Sequence, residues 1–222
     1  MPPLPPPLPP AERPVGQLVA EAIRLYGRRF WASLAVGVPP AAFVLALLAL
    51  SDTARVVFAL VAGPLLLSSA YTMATLVAVP ARRGEPLVAF LVGVPAFVPF
   101  ALSRATPFLG ALLLAFVWFA LFGLAVPAAI AEGRGPGDAL RRGVALARAD
   151  FVHALGAVAT LAIVIAVTLF VLFFLLAGFG DQTLPVAALL AVLVLGPLFF
   201  LGSALLYFDQ AAREDGEHVP RR

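Results

Sequence analysis

The sequence predicts an all-α integral membrane protein: a six-span helical bundle with amphipathic interfacial helices on its cytoplasmic face and a possible internal repeat. Three observations carry that expectation. Of the 222 residues, 62% are apolar and only 12% charged, about half the share usual in soluble domains. Mean hydropathy is +1.03, more apolar surface than a water-facing fold of this size can hide. The apolar residues gather in long runs free of Asp, Glu and Arg, and the charges sit between them. Such a composition excludes a disordered chain. With no Cys there is neither a disulfide framework nor a thiolate metal site.

The elements follow in chain order. Residues 1–13 form a tail in which every position from Pro2 to Pro10 is Pro or Leu. Proline enforces polyproline II, and the tail lacks the basic start and continuous apolar run of a signal peptide. It reads as an extended segment, with a ligand for a proline-binding groove as the alternative. The helical domain covers 14–209. It opens on an amphipathic helix over 15–30, whose apolar face is Val15, Leu18, Val19, Ala22, Ile23, Tyr26 and Phe30, the spacing of one helical side. Gln17, Glu21, Arg24 and Arg28 line the other side, with Glu21–Arg24 placed to pair.

A helix needs about 20 apolar residues to cross about 30 Å of hydrocarbon. Six segments qualify: residues 31–50, 56–79, 87–102, 108–130, 152–179 and 184–208. The third is short, and Pro95 and Pro99 each remove a helical hydrogen bond. It reads as a kinked span, a re-entrant hairpin or an interfacial helix. Arginine distribution decides for a span. All 15 basic residues are Arg. With six spans and a cytoplasmic N-terminus, only Arg55 and Arg104 fall outside and the other 13 inside; if the third segment does not cross, the ratio becomes seven inside to eight outside. The positive-inside rule selects the first arrangement, with both termini cytoplasmic. The location expected is a bacterial inner membrane.

A second amphipathic helix is predicted over 137–150. Leu140, Val144, Ala147 and Phe151 form its apolar face, Asp138, Arg141, Arg142 and Arg148 its polar face, and Asp138 is placed to cap its first turn. At an offset of 121 residues the two helices align: Gly16 with Gly137, Ile23 with Val144, Leu25 with Leu146, Phe30 with Phe151, Leu34 with Leu155. This is consistent with a parallel internal duplication. Residues 210–222 are read as a cytoplasmic tail.

Two stretches carry a resemblance. Residues 127–146 run Pro127, then Glu132-Gly133, then Ala139-Leu140-Arg141-Arg142, then Leu146. Residues 205–216 run Leu205-Leu206-Tyr207-Phe208-Asp209, then Arg213-Glu214-Asp215-Gly216. Together they resemble the bacterial multi-pass membrane domain found alone or fused to glycerophosphodiester phosphodiesterases. The resemblance implies six helices with interfacial elements, and no established activity for stand-alone members. This chain departs from the pattern at Gly143, where Ser is usual, and in the apolar, two-proline stretch 84–102. The phosphodiesterase chemistry needs a soluble barrel with His and carboxylate metal ligands, for which the chain has no spare length.

Three groups of residues are candidates for function. Glu132 and Asp209 are expected to clamp the 137–150 helix through Arg141 and Arg142, with Tyr207 anchoring the last span in the aromatic belt. Arg24, Arg28, Arg29, Arg82, Arg83 and Arg148 are expected to meet anionic lipid headgroups. Ser68, Tyr71, Thr72 and Thr75 form a hydroxyl seam on the second span, lining a polar passage or bonding a neighbouring helix. Small residues at Ala59/Gly63 and Ala70/Ala74 favour packing. No span holds an Asp, Glu or Arg, which argues against ion-coupled transport. His153 and His218 have no catalytic context. No cofactor, metal or nucleic-acid partner is expected, since the arginines lie in short clusters rather than a basic stripe. Phe173/Phe174 and Phe199/Phe200 are read as facing lipid or another subunit. The function expected is a non-enzymatic module that organises lipids or partner proteins through its basic face. The alternative is an uncoupled carrier or accessory subunit for a lipid or small apolar substrate.

Overall fold

The computed structural model describes residues 13–79, 81–105, 108–176 and 183–217. The Pro-rich segment up to residue 12 and His218 lie outside them. Among the described residues ten helices follow in order: α1 (Val15–Arg28), α2 (Phe30–Val36), α3 (Val38–Ala49), α4 (Asp52–Ala78), α5 (Pro86–Ala105), α6 (Leu109–Phe122), α7 (Ala125–Glu132), α8 (Pro136–Ala149), α9 (Phe151–Leu176) and α10 (Thr183–Glu217). They pack as an all-α bundle containing six helical stretches long and apolar enough to cross a membrane. Two of these stretches are composite, α2 with α3 and α6 with α7.

Proline explains where the helices break and what repairs them. A proline cannot bond the carbonyl four residues back. Pro39 and Pro40 therefore free Ala35 and Val36, and the first span breaks at Gly37, whose N–H reaches Leu34 O at 2.9 Å instead. Pro127 frees Gly123, whose carbonyl accepts from Val126 N at 3.2 Å. The third apolar segment is nevertheless one continuous helix through Pro95 and Pro99. Pro99 leaves the Pro95 carbonyl without its helical donor, and the Trp118 indole N–H donates to it at 3.0 Å. Pro197 frees Leu193 in the same way. Gly37 packs against that oxygen so closely that a Cβ there would lie 2.0 Å from it.

The core is aromatic. Tyr71, Phe97, Phe119 and Phe200 are buried and meet with ring centroids 5.2–6.2 Å apart. Phe200 is thus buried within the bundle, whereas Phe174 is exposed.

The two amphipathic helices have matching bounds. Shifted by the 121 residues seen in the sequence, α1 falls on α8 end for end. Each ends at one non-helical residue, Arg29 (φ −125°) or Asp150 (φ −142°), before the next helix starts at Phe30 or Phe151. Leu18 and Ala22 are buried in α1, as are their counterparts Ala139 and Gly143 in α8. Gly143 is a close-approach position, because a Cβ there would lie 2.4 Å from Ala125 N. Asp138 does not cap α8: Gly135 takes the cap position and Pro136 the first turn, where a missing N–H costs nothing. The segment read as a tail from residue 210 is helical to Glu217, because Gln210 is buried and bonds the α8–α9 elbow.

Candidate functional site

The ionic residues converge at one end of the bundle, and their mutual bonds define it. Glu132 closes α7, and Gly133 follows in the left-handed region at φ 68°. A carboxylate at a helix C-terminus faces the negative end of the macrodipole, so it needs donors. Three converge on it: the Tyr207 hydroxyl at 2.6 Å, Arg142 Nε at 3.0 Å, and Arg134 Nε. Arg142 also donates to Glu214 on α10. Burial disfavours the Arg142 charge, but the hydrogen bonds and charges of Glu132 and Glu214 outweigh it and hold its pKa above the ordinary guanidinium value.

The last turns of α10 reach two further elements. Asp150 caps α9 by accepting from His153 N at 3.0 Å, and its other oxygen accepts from Arg213 at 3.1 Å. Gln210 donates to the Asp150 carbonyl at 3.1 Å. Asp209 is fully buried and takes Arg13 at 3.4 Å, while Arg213 donates to the Arg13 carbonyl at 3.0 Å. One helix end therefore ties α7, α8, the α8–α9 elbow and the start of α1.

The expected clamp differs in membership. Glu132, Arg142 and Tyr207 meet. Asp209 instead lies toward α1 and faces Arg13, and Arg141 lies on the exposed side of α8 and pairs with Asp138 at 2.9 Å. Two helical positions explain this: Tyr207 and Asp209 are neighbours on α10 but point to different sides. Tyr207 is buried, with its hydroxyl turned inward to Glu132. Glu214, Asp150 and Arg13 are the partners that sequence reasoning missed. The stretch Arg213-Glu214-Asp215-Gly216 contained the first, but a tail reading concealed it.

The arginines assigned to headgroups divide into two sets. Arg29 and Arg82 donate to Val77 O at 3.0 Å and Leu76 O at 2.7 Å. These are carbonyls in the last turn of α4, one of which loses its helical donor to Pro80. Both cations thus satisfy orphan acceptors and the helix dipole. Arg24 pairs with Glu21 at 2.6 Å. Arg28, Arg83 and Arg148 are exposed. Arg55, with Asp52 and the Leu47 carbonyl, lies at the opposite end of α4.

The hydroxyl seam is interior. Ser68, Tyr71, Thr72 and Thr75 are all buried. Ser68 donates to Phe90 O of α5 at 2.6 Å and Thr75 to Tyr71 O at 2.9 Å. A Cβ on Gly93 would lie 2.3 Å from Ser68 Oγ, so α5 carries glycine where α4 brings its hydroxyl. The Tyr71 and Thr72 hydroxyls have no protein partner among the described residues. The void between Tyr71 and Ser203 has no room for a water. Ser68 alone of the four joins α4 to another helix, and the seam opens no passage there. Among the described residues no three His, Asp or Glu side chains group as a metal site.

Comparison with family models, with curated proteins and with solved structures found no match.

Proposed function

We propose that this chain is a non-enzymatic multi-pass membrane module that gathers anionic lipids at one face, with that face and both termini cytoplasmic. The observation that carries the reading is the division of labour among the arginines. Arg29 and Arg82 are committed to the C-terminus of α4, and Arg142 and Arg213 to the α10 network. Arg28, Arg83 and Arg148 stand exposed at the same end. Exposed guanidinium groups beside apolar spans suit lipid phosphates, at about 1 kcal/mol each near an anionic surface. The resemblance to the phosphodiesterase-associated membrane family belongs to the same proposal. What supports it is that its two stretches meet through Glu132, Arg142, Tyr207 and Glu214. The carrier reading loses support from the seam, since its hydroxyls are buried and the void beside Tyr71 has no room for a water.

The test reconstitutes the full chain in vesicles of phosphatidylethanolamine with a minority of phosphatidylglycerol and counts co-purifying lipids by native mass spectrometry. The wild type should enrich phosphatidylglycerol about threefold over the bulk, and Arg28→Gln/Arg83→Gln/Arg148→Gln should bring the ratio to the bulk value. Enrichment that survives the triple substitution would sink the proposal.

A further inference from the structure

A groove lies between the long apolar helices, apart from the ionic end. The buried residues of α9 are Ala154, Ala157, Val158 and Leu161, all in its first half. Beyond them Ile163, Val167 and Phe174 are exposed, and a cavity of about 290 Å³, open at the flank of the bundle, separates α9 from α5, α6 and α10. Phe97, Phe116, Ala166, Gly196 and Phe200 lie along it, and every lining side chain is apolar. The small residues Ala166 and Gly196 leave the gap, and the phenylalanines form its walls.

We propose that this groove seats a single phospholipid acyl chain. The inference rests on the membrane-module reading and adds a chain site to the headgroup face. Four observations select the occupant. No lining side chain ionises or hydrogen-bonds, so a polar substrate or water finds no partner. The groove begins roughly 16 Å along α9 from Phe151, at ~1.5 Å per residue, which is inside the hydrocarbon layer of about 30 Å. The backbone carbonyls that Pro99 and Pro197 free near this level are covered by Trp118 and Gly37. A helix from a second copy, about 10–12 Å across with its side chains, is too wide for a space of this volume, whereas a hydrocarbon chain is one methylene wide.

The experiment photolabels the full-length protein in phosphatidylethanolamine–phosphatidylglycerol vesicles. The probes are phosphatidylethanolamine and phosphatidylglycerol, each with a mid-chain diazirine. Labelling is mapped by mass spectrometry on the peptides carrying Phe200 and Phe174 while detergent dilutes the lipid. With either headgroup, groove labelling at Phe200 should persist to about tenfold greater dilution than labelling at exposed Phe174. Ala166→Phe, which fills the groove, should cut Phe200 labelling about tenfold and leave Phe174 labelling and the melting temperature unchanged. If Ala166→Phe does not fold, Ala162→Leu fills the same wall and is read the same way. Parallel decline at the two sites overturns the seat, as does full Phe200 labelling in the filled variant. A disulfide dimer formed by Ala166→Cys, in a chain with no other cysteine, would assign the groove to a second copy and also overturn it. Loss of phosphatidylglycerol enrichment in the arginine variant with intact groove labelling would concern the headgroup face alone, so the two proposals fail separately.

Discussion

Tyr207→Phe removes one hydroxyl from the ionic end and little else. The ring keeps its edge contact with Phe208 at 5.3 Å, and the lost bond is the 2.6 Å donation to Glu132 Oε1. A hydrogen bond to a charged acceptor contributes about 1.5–3 kcal/mol. The Glu132 side chain is 22% exposed and retains Arg134 and Arg142, which places the expected loss at the lower end, about 1.5 kcal/mol. In a Glu132→Ala background the hydroxyl has no acceptor left, so the same substitution should cost close to nothing. The two backgrounds should therefore differ by a coupling energy of about 1.5 kcal/mol. The assay is equilibrium unfolding of the full chain in mixed micelles of dodecyl sulfate and dodecylmaltoside, followed by the fluorescence of Trp31 and Trp118. Arg141→Ala serves as control, since its pair with Asp138 is 82% and 62% exposed and should contribute less than about 0.5 kcal/mol. Equal losses for Tyr207→Phe in both backgrounds, or no loss in the wild type, would refute the convergence on Glu132.

Three other substitutions test the interior of the bundle. Gly93→Ala drives a Cβ to 2.3 Å from Ser68 Oγ and should destabilise by about 1–3 kcal/mol. Ser68→Ala alone should cost about 1 kcal/mol for the bond to Phe90, and the double variant should fall at least ~1 kcal/mol short of the sum. Strict additivity in the same unfolding assay would contradict the tight α4–α5 seam. Tyr71→Phe should stabilise by up to about 1 kcal/mol, because it removes a buried hydroxyl that has no protein acceptor. A measured loss would show that the hydroxyl is satisfied in the membrane.

Periodicity and charge distribution made most of this architecture legible. Six apolar runs appear as six long apolar helical stretches, two of them broken, and the segments 15–30 and 137–150 as the helices α1 and α8. The breaks at Gly37 and Leu124 follow from Pro39, Pro40 and Pro127, yet apolarity conceals them because a broken span is as hydrophobic as a straight one. The partners at the ionic end were only half legible. Glu132, Arg142 and Tyr207 carry a local motif, whereas Arg13–Asp209 and Arg213–Asp150 join residues 196 and 63 positions apart, which no local spacing encodes. Arg29 and Arg82 were readable only as cations near a membrane. Their attachment to α4 depends on which carbonyls remain unpaired at a particular helix end. α10 exceeds its expected limit because Gln210, polar by type, is buried and Arg213 is drawn to Asp150.

The convergence of bonds on the end of α10 also sets an order of assembly. Tyr207 meets Glu132 from 75 residues away, and Asp209 meets Arg13 from 196. The start of the chain is thus synthesised long before its partner exists. During synthesis α1 has nothing to close upon at Asp209, and α8 lacks the carboxylate of Glu214. The last three turns of α10, residues 207–217, act as a keystone, made after the elements they join. Arg13, at the start of α1, therefore depends on residues of α10 made much later, and losing those turns leaves four separate elements without their common fastening.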